Sequence, residues 1–280
     1  MPSSVEQYPL PDYERPPLVE TVLGVQFERI ERFGNGHLGA FWRTLDTGEW
    51  PTVSDAPLLP PQFERFGNNS RWAASLQFSL SPAPVSRLQI RHQDGERMIQ
   101  VQNGRLHFNW LGRAGGVYPR YETVRQGFHA ALEQFVKFLD REKLGDFRPN
   151  QWEVTYLNHI VKGTVWNTPS DWRFFRPLCG LPSIEGLVYG ESFSGEWHFV
   201  IPERRGRLHI QWEHAVRSEP QETEVIVLTL TARGPLGRES DLSDGILSSL
   251  DLGRETIVRA FRDFMSDEAN RYWGLRNDPG

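Results

Sequence analysis

A single cysteine, Cys179, is all that the 280 residues hold. No intrachain disulfide can form from it and no multi-cysteine metal site exists, so a reducing compartment is expected. Long apolar runs are also lacking. No stretch approaches the roughly 18 consecutive apolar residues of a membrane-spanning helix, and the opening MPSSVEQYPLPDYER has neither the basic start nor the apolar run of a signal peptide. A cytoplasmic protein that does not engage the membrane is the expectation. Excess positive charge is absent as well: the formal net charge is -5 and the pI about 5.9. Such a balance argues against wrapping duplex nucleic acid through bulk charge, although a local basic patch remains compatible with it. The motifs G-x-S-x-G, P-loop, H-E-x-x-H and paired C-x-x-C are missing too. What the chain does have is core material, 38% hydrophobic residues with 17 Phe and 10 Trp.

The most informative segment is RLQIRHQDGERMIQVQNGRLHFNW, three short alternating runs joined by Asp94-Gly95 and Asn103-Gly104. Both dipeptides favour two-residue type I′ hairpin turns. Counting outward from them pairs Gln93 with Glu96, Arg91 with Met98 and Gln89 with Gln100, then Gln102 with Arg105, Gln100 with His107 and Met98 with Asn109. One face then carries the apolar rows Leu88-Val101-Leu106 and Ile90-Ile99-Phe108. The other carries Arg87-Gln102-Arg105, Gln89-Gln100-His107 and Arg91-Met98-Asn109. Gln, Arg, His and Asn both hydrogen-bond and present flat surfaces, so this polar face reads as a binding surface.

Alternation and helical spacing place the other elements. After a flexible leader over 1–15, strands are expected at 18–27 and 72–80, with a short helix at 38–45 and a Pro-rich loop over 51–61 between them. A helix over 121–139 follows the meander. The second half repeats the order, with strands at 151–161, 187–191, 196–202, 207–214 and 222–233, a short helix at 170–178, and a long helical region over 241–273 broken near Leu252-Gly253. Glu122-Thr123 and Phe128 match Glu255-Thr256 and Phe261 at an offset of 255 − 122 = 133, and the same offset carries Glu20 onto Glu153. The expectation is an α+β fold, a tandem pseudo-repeat of β-α-β4-α with long helices on one face of antiparallel sheet. Its units are 16–143 and 149–276, joined through the polar stretch 141–150 into one continuous body.

Other motifs admit plainer readings. Gly34-Asn35-Gly36-His37-Leu38-Gly39 matches G-x-G-x-x-G, but Glu28 to Phe33 separate it from the first strand and an antiparallel meander follows. A strand-to-helix turn fits better than a dinucleotide site, and no cofactor is expected. His159, His198 and His209 share one strand parity near Glu153 and Glu213. Only His198 and His209 could be neighbours and share a metal ion, against hydrogen bonding on the polar face. Asn158 falls on the core parity and needs a partner. Glu20 and Glu153 could act as an acid–base pair or simply balance arginines.

Two resemblances add to this. The element order resembles that of the TATA-binding protein and its helix-grip relatives, in which a curved antiparallel sheet packs helices on one face and leaves the other open. The segments PPLVE (16–20), QVQNGRLHFNW (100–110), Tyr156-Leu157-Asn158 and Tyr272-Trp273-Gly274 together resemble a sporadically distributed prokaryotic family of unassigned function marked by an N-terminal PPxxE signature. That resemblance spans nearly the whole chain. It implies one full-length prokaryotic unit, supplies no catalytic residues to carry over, and by its patchy distribution implies a mobile or defence-associated setting. The reading is a binding protein rather than an enzyme. Arg87, Arg91 and Arg105 would neutralise anionic groups of a ligand, single-stranded nucleic acid or a protein partner, with Gln89, Gln100, Gln102, His107, Asn109 and Glu20 completing the site. The alternative is a helix-grip enzyme or small-molecule binder whose cavity between sheet and long helix is lined by Glu20, Glu153, His159 or His209.

Overall fold

The structure is a computed structural model that describes residues 9–67, 86–112, 117–178, 190–218, 221–237 and 242–276. The strand expected at 72–80, Cys179 and residues 187–189 lie outside the described residues. The strands are β1 (Asp12–Tyr13), β2 (Leu18–Phe27), β3 (Thr52–Ala56), β4 (Arg87–Arg91), β5 (Arg97–Gln102), β6 (Arg105–Leu111), β7 (Pro149–Val161), β8 (Ser194–Ile201), β9 (Gly206–Arg217), β10 (Thr223–Pro235) and β11 (Leu275–Arg276). The helices are α1 (Asn35–Trp42), α2 (Tyr121–Arg141), α3 (Leu242–Phe264) and α4 (Asp267–Tyr272). Nine of the described strands form one antiparallel sheet in the order β3-β4-β5-β6-β2-β7-β10-β9-β8. No described helix is long and apolar enough to cross a membrane.

Alternation sends one side of every central strand into the core. Leu23, Val25 and Phe27 of β2 and Trp152, Val154 and Ile160 of β7 are buried beneath α2 and α3. On α2 the helical spacing does the same work, burying Val124, Phe128, Ala131, Phe135 and Phe138. Asn158, on that parity, donates Nδ2 to the Leu228 carbonyl at 3.1 Å, which satisfies the buried amide.

In the meander the registers Arg91–Met98, Gln89–Gln100, Gln102–Arg105, Gln100–His107 and Met98–Asn109 are those counted from the turns. The turns themselves are not type I′. Only Gly95 (φ 67°) and Gly104 (φ 109°) take positive φ, whereas type I′ needs it at both central residues. Asp94 accepts the Glu96 and Arg97 amides, and Asn103 bonds Ile30 and Phe33 in the link to α1. Both side chains serve the backbone beside them, which sets their own conformation.

Four further expectations are corrected. Thr52–Ala56, read as loop, is the edge strand β3 on β4. The short helix expected at 170–178 is only a 3₁₀ turn at Arg176–Leu178. Helix α3 runs unbroken through Gly253, where a Cβ would stand 2.7 Å from Trp152 Cζ3; the glycine allows close helix–sheet approach, and the chain breaks later, at Ser266, which caps α4. The end of the leader is tied down: β1 pairs with β11, and Tyr13 Oη donates to buried Asn270 at 2.7 Å.

Candidate functional site

The polar side of the sheet is not bare. Residues 57–67, without regular structure, run across it as a strap that the sheet's side chains grip by the backbone. Gln102 of β5 pairs with both peptide groups of Leu59, accepting its N–H at 2.9 Å and donating to its carbonyl at 2.9 Å. Arg105 of β6 donates to the Pro60 carbonyl. Gln26 of β2 accepts from Gln62 N at 2.9 Å, and Gln151 of β7 accepts from Glu64 N at 3.2 Å. Side-chain amides thus take the place of a neighbouring strand in meeting the strap's donors, as buried peptide groups require. Within the strap Gln62, Glu64 and Phe66 turn towards the sheet, while Phe63 and Arg65 stay exposed.

On β9 and β10 the strap delivers a carboxylate. Glu64, with 3% of its side chain exposed, is met by Arg207, by Arg233 at 2.8 Å and by His209 at 2.8 Å. Arg207 also donates to the Arg65 carbonyl and lies 5.0 Å over the Phe66 ring. Arg233 further bonds Gln62 and Glu153. Burial alone would push the Glu64 carboxyl up, but the His209 hydrogen bond and the charges of Arg233 and His209 outweigh it and hold it below its ordinary value. Glu153 behaves alike: burial is outweighed by His107, Arg105 and Arg233. His107 reaches Glu153, 3.7 Å away, by lying across Gly24, where a Cβ would sit 2.5 Å from its ring. Burial, the largest influence, pushes the His107 imidazole down to about 4, with Glu153 opposing.

On β4, β5 and β6 the arrangement differs. Gln89 donates to Gln100 at 3.1 Å, Gln100 to Asn109 at 2.8 Å, and Asn109 to Glu20 at 2.5 Å. This amide relay ends on a carboxyl that burial raises above its ordinary value, the Asn109 bond and the Arg91 charge opposing incompletely. Arg87 and Arg91 are half-buried. The Nε of Arg87 has no accessible surface and no hydrogen-bond partner among the described residues, and burial lowers its guanidinium from the ordinary value.

The structure therefore brings all nine expected site residues onto one face, but buries Gln100, Gln102, Arg105, His107 and Asn109 against the protein's own chain. The face expected to stand open is in part already occupied. His198 and His209 are neighbours, Nδ1 to Nδ1 at 2.9 Å, yet His209 is engaged by Glu64, and no cluster suited to a metal ion occurs among the described residues. Glu20, Glu153, His159 and His209 all belong to this polar face rather than to a cavity under the long helix. Gln26, Gln62, Glu64, Gln151, Arg207 and Arg233 were not singled out from sequence. The alternation of Gln62, Glu64 and Phe66 against Phe63 and Arg65 is the signal that could have found the strap. Comparison with models of protein families and with curated proteins gives no match.

Proposed function

We propose that this is a binding protein that takes an anionic group on the β4–β5–β6 part of the polar face. The observation that carries the reading is Arg87, whose buried Nε has no partner among the described residues, since a buried guanidinium donor without an acceptor is costly and an incoming oxyanion relieves it. Charge supports the same place. Arg87 and Arg91 have no ion pair there among the described residues, whereas Arg105 faces Glu153 and Arg207 and Arg233 meet Glu64 and Glu153. Phosphate oxygens of a single-stranded nucleic acid or a carboxylate-bearing partner would suit the guanidinium groups of Arg87 and Arg91, with Arg105 already bonded to Gln26 and the Pro60 carbonyl.

The same reading takes the two halves as a duplicated unit. In support, strands flank the central β2–β7 pair in matching outward order, β6-β5-β4 on one side and β10-β9-β8 on the other.

The test is thermal unfolding with pyrophosphate, citrate and a short oligothymidylate, on the wild type and on R87Q/R91Q. An anion present at about ten times its Kd adds about 1.4 kcal/mol, so at least one should raise Tm by about 3 °C or more in the wild type and none in the variant. No shift with any anion, or equal shifts in both proteins, would sink the assignment.

A further inference from the structure

On the opposite side of the sheet, a cavity of about 80 Å³ lies between α3, β7 and the N-terminal residues 11–18. Its walls are Leu18, Leu230, Ile257 and Phe261, and its polar lining includes Tyr118, Tyr156 and Arg254. None of these residues takes part in the polar-face site.

The charged groups around this cavity are matched with one exception. Arg120 is held by Asp12 at 2.7 Å and by the Tyr13 carbonyl at 3.0 Å. Asp251, one helical turn before Arg254, is taken by Arg125 and by Tyr121 Oη. Arg254 has neither an ion pair nor a hydrogen bond among the described residues, and its guanidinium lies 4.9 Å over the Tyr121 ring. A guanidinium held by an aromatic face keeps its fork of donors free and oriented. Beside it the Tyr118 and Tyr156 hydroxyls lie 3.3 Å apart, both raised by burial above the ordinary phenol value, so both remain hydrogen-bonding hydroxyls at neutral pH.

We infer that this cavity is a second binding site, for a small monocarboxylate with an apolar body. The carboxylate would pair with Arg254 beside the tyrosine hydroxyls, and the body would rest on Leu230, Ile257 and Phe261. One water needs about 10–15 Å³ of such space, so the cavity suits about five to eight non-hydrogen atoms. The inference is independent of the anion site on the other face.

Saturation-transfer NMR with isovalerate and its neutral isostere isovaleramide tests it, on the wild type, on R254Q and on V258F, which narrows the cavity wall. Thermal unfolding confirms that each variant is folded. Isovalerate should bind the wild type, the amide about tenfold more weakly, and R254Q should lose about tenfold for the acid while leaving the amide unchanged; V258F should weaken both. The inference is overturned if isovalerate gives no transfer to the wild type, if acid and amide bind equally, or if R254Q binds the acid as well as the wild type does.

Discussion

Of the polar-face arginines, Arg207 of β9 and Arg233 of β10 are met by carboxylates, while Arg87 and Arg91 of β4, and Arg217 at the end of β9, form no ion pair among the described residues. Arg207 and Arg233 share Glu64, which the strap carries in from a distant part of the sequence, and Arg233 also holds Glu153. Across the central strand pair, Gln89, Gln100 and Asn109 pass hydrogen bonds in one direction to Glu20, and Arg87 is left with a buried donor unmatched among the described residues. The two halves use the same residue types on the same pleated surface. Where the strap supplies a counter-charge the arginines are paired; where it supplies only peptide groups, at Leu59 and Pro60, Arg87 and Arg91 keep no ion pair among the described residues. Desolvated polar groups either find partners or wait for them.

This contrast is sharpened most by removing the carboxylate. Replacing Glu64 with Ala leaves Arg207 and Arg233, with 5% and 13% of their side chains exposed, without their main counter-charge. Urea denaturation should show a loss of about 3–5 kcal/mol. A loss under about 1 kcal/mol, the level of a surface pair, would mean that the strap does not clamp this half.

Acid gives the next effect. His107 is held neutral down to about 4 in the folded state against 6.5 in the unfolded chain, so between these values the unfolded state binds more protons and stability falls as pH is lowered. The window from pH 6.5 to 4 should cost no more than about 3 kcal/mol. Glu64 and Glu153, depressed in the folded state, stabilise it above their unfolded value of 4.5 and add to the loss below that. In H107Q the slope between pH 6.5 and 4.5 should flatten; an unchanged slope would place the proton elsewhere.

Glu20 should behave in the opposite sense. Its raised folded pKa means that the protonated form is favoured on folding, so its contribution is lost as pH rises from 4.5 through the folded value. E20Q keeps an oxygen for Asn109 and removes that loss. Its urea midpoint should be slightly higher than wild type at pH 7 with unchanged m, and the difference should vanish below pH 4.5. A destabilised E20Q at pH 7 would show that the first half, too, depends on its carboxylate.

The pairing of β4, β5 and β6 is legible in the sequence because turn glycines and a period of two act over a few residues. The helical face of α2 is legible for the same reason. The strap shows in the sequence only as the alternation of Gln62, Glu64 and Phe66 against Phe63 and Arg65, since its partners lie far off on β5, β6, β2, β7, β9 and β10. What the sequence does show is the debt it answers: a face rich in Gln, Asn, Arg and His with few carboxylates in its own strands. That face is less open than its alternation suggests, because Gln102, Arg105 and Gln26 hold the protein's own backbone. Gly24 lies inside the strand expected at 18–27, and its missing side chain is what lets His107 reach across a strand to Glu153.

The difference between the halves is tested most directly by following the arginine side-chain Nε–Hε resonances while titrating the protein with pyrophosphate. The account predicts that Arg87 and Arg91 shift and saturate together while Arg207 and Arg233 stay in place. Movement of Arg207 and Arg233, or no movement of Arg87, would contradict it.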